Sequence, residues 1–223
     1  MTDSVVLFSL LDLSDRQMEF LIKLFVVLLC LPVHEMAHAF TAWKLGDPTG
    51  KEAGRLTLNP FKHLDPLGAA MIFFVGFGYA KPVPVNIRKF KNPKVGFAIT
   101  AVAGPLSNLI MAFISLGILR IMYLIEGTSV DVLILSSYIF PTVAFINIAL
   151  AIFNLIPVPP LDGSRVIMAF LPDKAYVKLL QNERYLMIAL FAAMFVLGEA
   201  GYSPISFLAE KVYGLMTMLL FGA

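Results

Sequence analysis

Leu31-Pro32-Val33-His34-Glu35-Met36-Ala37-His38-Ala39-Phe40 sits inside an otherwise apolar run from Met18 to Leu45. The run is long enough to cross a bilayer, which takes about 20 helical residues, and it carries the pattern H-E-x-x-H. On a helix His34 and His38 fall one turn apart on one face, separated by about 6 Å of rise. Two imidazoles at that spacing can share one metal ion, with Glu35 alongside to handle the proton of a metal-bound water. In a soluble helix the same letters are often no more than surface charge. At membrane depth an ionisable group costs about 2.5–3.5 kcal/mol on insertion scales, so a cluster of them needs a shared reason. A bound metal supplies one.

Composition points the same way. Of 223 residues, 59% are hydrophobic and 14% charged, with a mean hydropathy of +0.83. A soluble domain is nearer half apolar and a quarter charged. The chain reads as an all-α polytopic membrane protein in contact with the lipid bilayer. A net charge of +2, with no basic cluster interleaved with aromatics, argues for no nucleic acid partner. A single cysteine, Cys30, excludes an internal disulfide framework and a Cys-based zinc cage; it reads as a small packing residue. The start lacks the basic region and small-residue cleavage site of a signal peptide, so residues 1–223 are read as one mature membrane domain.

Along the chain, Ser4 to Leu13 is apolar but too short to cross and suits the interface. The first span runs from about Met18 to Leu45, followed by a Gly- and Pro-containing loop from Gly46 to Asp65. Leu67 to Ala80 is apolar, too short for a crossing and flanked by basic loops, which suits a re-entrant hairpin or a buried loop. Two long apolar runs follow, about Val95 to Ile125 and Val132 to Ile156. Two shorter ones, near Tyr185 to Leu197 and Ile205 to Phe221, lie within an accessory region at about 184–222. The expected architecture is a three-span core plus about two further C-terminal hydrophobic helices.

Basic residues give the orientation. Nine Lys/Arg lie from Lys44 to Lys94 and four from Arg165 to Arg184, whereas the connections at 126–131 and 198–204 hold none. The positive-inside rule makes the two basic regions cytoplasmic and the N-terminus external. His34 then lies 16 residues into the span from Met18, about 24 Å of helix in a core of about 30 Å, which is the cytoplasmic half.

A hydrolytic zinc site commonly has three protein ligands and an open position. Asp162 follows a proline-broken helix end at the matching depth; as an Asp-Gly pair it also suits an ordinary turn. His63 is the reserve ligand, and otherwise an interfacial polar residue. Asn108, within Ala103-Gly104-Pro105-Leu106-Ser107-Asn108, suits either an interhelical hydrogen bond or an amide that binds a substrate carbonyl or its oxyanion. Asn147 and Asn154 are assigned to packing and backbone repair.

Three motifs together resemble the site-2 proteases, the intramembrane zinc metalloproteases. They are His34-Glu35-x-x-His38, Gly104-Pro105-x-x-Asn108 and Asn154-x-x-Pro157-x-Pro159-x-Leu161-Asp162-Gly163. Gly54-Arg-Leu-Thr-Leu-Asn59-Pro60 and Lys81-Pro-Val-Pro-Val-Asn86 resemble the compact subgroup without PDZ or CBS modules. The resemblance spans about residues 18 to 175 and departs at Ala37, where many members carry Gly. It implies one Zn2+ per chain held by His34, His38 and Asp162, with Glu35 as general base and acid. It also implies a re-entrant segment near 67–80, a substrate-presenting strand, and single-span transmembrane proteins as substrates. The expected activity is peptide-bond hydrolysis within the cell membrane of a prokaryote. The alternatives are an intramembrane divalent-metal transporter and an inactive substrate-binding relative. Nothing in the sequence specifies an oligomeric state.

Overall fold

The structure is a computed structural model and describes residues 15–65 and 81–222. The expected interfacial stretch at 4–13 and the re-entrant segment at 67–80 lie outside the described residues. Eight α-helices are described: α1 (Asp15–Lys44), α2 (Thr49–Glu52), α3 (Pro93–Leu124), α4 (Val130–Asn154), α5 (Asp162–Met168), α6 (Asp173–Gln181), α7 (Glu183–Glu199) and α8 (Pro204–Phe221). Among the described residues there is no strand.

The long helices begin where the chain supplies caps. Asn92 accepts from Val95 N–H, and Pro93 enters the first turn, where a missing N–H costs nothing. Ser129 opens α4 by accepting from Val132 N–H, and Ser203 opens α8 by accepting from Ser206 N–H, again ahead of a proline. Three helices among the described residues are long and apolar enough to cross a membrane: Pro93–Leu124, Val132–Asn154 and Pro204–Phe221.

Contacts fix the directions. α1 runs antiparallel to α3, since His38 meets Thr100 while a side chain at Gly104 would meet His34. Helix α4 runs back along α3, with Ser115 Oγ donating to Phe140 O at 2.9 Å. Asn147 Nδ2 reaches Cys30 Sγ at 2.9 Å, which binds α4 to α1. Ala112, Leu116, Ala144, Ile148 and Ala209 form a fully buried cluster joining α3, α4 and α8. Three alanines at that seam let backbones approach closely, the usual basis of helix packing in lipid.

The placement of α8 departs from the orientation that loop charge suggests. The Phe145 and Tyr213 rings lie 6.3 Å apart, and Phe221 lies 6.4 Å from Tyr123 near the end of α3. Helix α8 is therefore antiparallel to α4. Its start at Pro204 is level with the end of α4, since each lies about 14 Å of helix from the paired rings. The 198–204 connection, which holds no Lys or Arg, is thus on the same side as the basic loops. Phe191, midway along α7, meets Phe153 at the end of α4, with 6.4 Å between ring centroids. At 17 residues, α7 is about 25 Å long, short of a core of about 30 Å.

The loop expected at 46–65 is a folded cap on the basic end of the bundle. Asp47 is fully buried and accepts from Thr49 N–H at 3.1 Å and from Asn86 N–H at 2.6 Å. Arg55 donates to Lys62 O at 2.6 Å and Lys81 O at 3.1 Å, and Lys81 N–H donates to His63 O at 2.7 Å. Each of these bonds joins chain before α3 to itself, closing the cap over the end of α1.

Candidate metal centre

His34 and His38 project from one face of α1 as the helical period requires, and their rings meet edge to face at 4.7 Å. Their Nε2 atoms are 3.0 Å apart, and each lies 3.2 Å from Asp162 Oδ2. All three side chains are buried. Asp162 reaches them because α4 stops at Asn154 and a turn containing Pro157, Pro159 and Pro160 loops back so that α5 starts beside Leu155 and Ile156. Gly163 lets that turn close: a Cβ there would stand 2.6 Å from Ile156 O.

The donor set fits a metal. His38 Nδ1 lies 2.7 Å from Thr100 O; a carbonyl only accepts, so Nδ1 carries the proton and Nε2 of the neutral ring offers its lone pair. Asp162 Oδ2 offers another from 3.2 Å away. Acceptors held this close need a cation between them, a proton or a metal ion. Ligand atoms about 2.0–2.1 Å from a tetrahedral zinc lie roughly 3.3 Å from one another, near the separations seen. Gly104 supplies the space. A Cβ there would press on His38 Nε2 and stand 2.6 Å from His34 Cε1. His34, His38 and Asp162 are the one group of metal-ligating side chains found among the described residues.

The other expected residues divide. Glu35 is next to His34 and only 9% exposed. Asn108 lies one turn beyond Gly104 on α3, is 1% exposed, and among the described residues neither its Nδ2 nor its Oδ1 has a hydrogen-bond partner. The interhelical bond that would explain it structurally is not made among those residues. Asn147 and Asn154 do bond to the bundle, through Cys30 Sγ and Val143 O and through Leu150 O. His63 is not brought to the centre: its Nε2 donates to Thr57 O at 2.8 Å inside the cap. Two contributors had no sequence signal. The Thr100 carbonyl is backbone, and Arg165, whose NH1 lies 3.4 Å from Asp162 Oδ1, reads in sequence as one more loop cation.

The model of Peptidase family M50 matches residues 116–198, a stretch that holds Asp162 but not the two histidines. A protein of Bacillus subtilis (strain 168) named "Putative zinc metalloprotease YwhC" is 44% identical over 172 residues, 76% of this chain and 78% of that one. The Rip2 proteins of Mycolicibacterium smegmatis and Mycobacterium tuberculosis, described in the same words, are each 32% identical. These matches span 61% and 62% of this chain and about half of the mycobacterial proteins, 52% in each case. No solved structure matches.

Proposed function

The chain belongs to peptidase family M50, the site-2 proteases, and on that premise we propose that it hydrolyses peptide bonds within transmembrane segments of single-span membrane proteins. It is a zinc metalloendopeptidase by family. In this reading His34, His38 and Asp162 hold the zinc, and residues 1–223 act as one membrane domain. The observation that carries the reading is the convergence of two Nε2 atoms and one carboxylate oxygen at 3.0–3.2 Å behind a glycine.

When bound, zinc supplies Lewis acidity to acidify a water and polarise the scissile carbonyl. Glu35 takes the proton of the attacking water and delivers it to the leaving amine nitrogen. Its burial within α1 favours that use, because a carboxylate kept from bulk water exchanges protons with the group beside it. Asn108 offers an unspent N–H pair and carbonyl to the substrate backbone. Such a donor can also steady the developing oxyanion. The neutral His38 ring is held in its ligating tautomer by Thr100. The centre lies about 10 Å of helix from the start of α3, on the side of the basic loops, which supports an active site in the cytoplasmic half of the bilayer. The bacterial relative supports the cell membrane of a prokaryote as its setting.

The test pairs metal content with cleavage, using protein purified in detergent and a panel of single-span membrane peptides. Glu35→Gln is expected to retain about one zinc per chain and to lose cleavage by at least about 100-fold, the lower range for general acid–base catalysis. Cleavage persisting in Glu35→Gln would remove Glu35 from the chemistry. Zinc flux into sealed vesicles that survives Glu35→Gln, with no peptide cut by wild type, would replace the protease with a transporter.

A further inference from the structure

We propose that Arg165 is a positioning residue: it holds Asp162 so that a single oxygen, Oδ2, faces the two imidazoles. The inference rests on the reading of His34, His38 and Asp162 as the zinc ligands. The two oxygens of Asp162 have different partners. Oδ2 is 3.2 Å from both histidine Nε2 atoms, and Oδ1 is 3.4 Å from Arg165 NH1. A carboxylate's terminal torsion is broad and nearly two-fold. Left alone, Asp162 could turn both oxygens inward and fill the position that an attacking water needs. An opposite charge on Oδ1 works against that turn.

Arg165 is itself held. Its guanidinium stands over the Phe97 ring, 5.4 Å from the centroid, and its side chain is 28% exposed. Stacking on an aromatic face is a geometry that Arg satisfies and a rotatable ammonium does not reproduce. Phe97 lies three residues before Thr100, whose carbonyl orients His38. One turn of α3 therefore orients ligands from both α1 and α5. Lys94 Nζ, bonded to Leu171 O at 3.2 Å, ties the far end of the α5 segment to the same part of α3.

The experiment measures zinc affinity by chelator competition and the visible spectrum of the cobalt-substituted protein. The set is wild type, Arg165→Gln, Arg165→Lys, Phe97→Leu and His38→Ala in one detergent, with thermal unfolding of each metal-free protein reporting the fold. Arg165→Gln is expected to weaken zinc by about 10–100-fold, the usual scale for a partner behind a ligand. Its cobalt band should also lose intensity as coordination rises. Arg165→Lys should fall between Gln and wild type, and Phe97→Leu should shift affinity less than Gln. Wild-type zinc affinity and an unchanged cobalt spectrum in Arg165→Gln would overturn the inference while leaving the ligand reading intact. Tighter zinc in Arg165→Gln would also overturn it, because repulsion of the metal would then outweigh the hold on Asp162. Undiminished zinc binding in His38→Ala would overturn the ligand reading and this inference with it.

Discussion

A methyl group at position 104 separates helix stability from metal binding. Alanine is a better helix former than glycine by about 1 kcal/mol, so Gly104→Ala should not weaken α3 as a helix. Its Cβ would nevertheless stand 2.6 Å from His34 Cε1 and against His38 Nε2, so zinc content should fall to near zero in protein that still extracts and migrates normally. Asn108 allows the converse separation. A buried amide without a partner costs roughly 1–3 kcal/mol, and among the described residues both of its polar atoms are in that state. Asn108→Leu is thus expected to raise the melting temperature in detergent, leave bound zinc unchanged and lower peptide cleavage. A melting temperature that falls would mean that Asn108 is satisfied within the bundle and serves packing. His34 and His38 were legible as a pair from helical spacing, whereas Asp162 on its own residues suited an ordinary Asp-Gly turn as well and entered through the resemblance of the three motifs together. Thr100 was not legible, since any residue type has a carbonyl. Arg165 was not legible because only the fold sets it against Phe97.

At the scale of elements, the helix bounds follow sequence closely where a cap precedes an apolar run. Expected spans beginning near Val95, Val132 and Ile205 correspond to helices starting at Pro93, Val130 and Pro204. The cap residues Asn92, Ser129 and Ser203 each take up a free N–H that would otherwise need water. Packing between the helices was less legible, because a run that is apolar on all sides does not reveal its inner face. Ala112, Ala144 and Ala209 mark that face, each fully buried. Ala209→Leu should overfill the seam between α8 and the α3–α4 hairpin, at a cost of about 1–3 kcal/mol. The expected readout is earlier release of α8 to protease on heating, with zinc affinity unchanged. The cap is the other surprise at this scale. Its Gly and Pro content indicates loop, but Asp47 and Arg55 supply side-chain bonds that tie the segments between α1 and α3 to one another.

For the molecule as a whole, the direction of α8 is the point to test. Single cysteines at Thr128, Lys178 and Tyr202, placed one at a time in a Cys30→Ala background, should label from sealed vesicles with a membrane-impermeant reagent. Tyr202 is expected to label from the same face as Lys178 and from the face opposite Thr128. Labelling of Tyr202 alongside Thr128 would restore α7 as a full crossing. The sequence by itself determined the class of the molecule, its helices, the pairing of His34 and His38 on one face of α1 and the face carrying the basic loops. These depend on composition and on the helical period, which are local properties. Only the tertiary structure brings Asp162, and not His63, to 3.2 Å from both imidazoles, sets Arg165 behind it, and returns α8 beside α4. Those outcomes depend on which apolar surfaces meet, and nearly uniform hydrophobicity along the chain leaves that choice to packing in three dimensions.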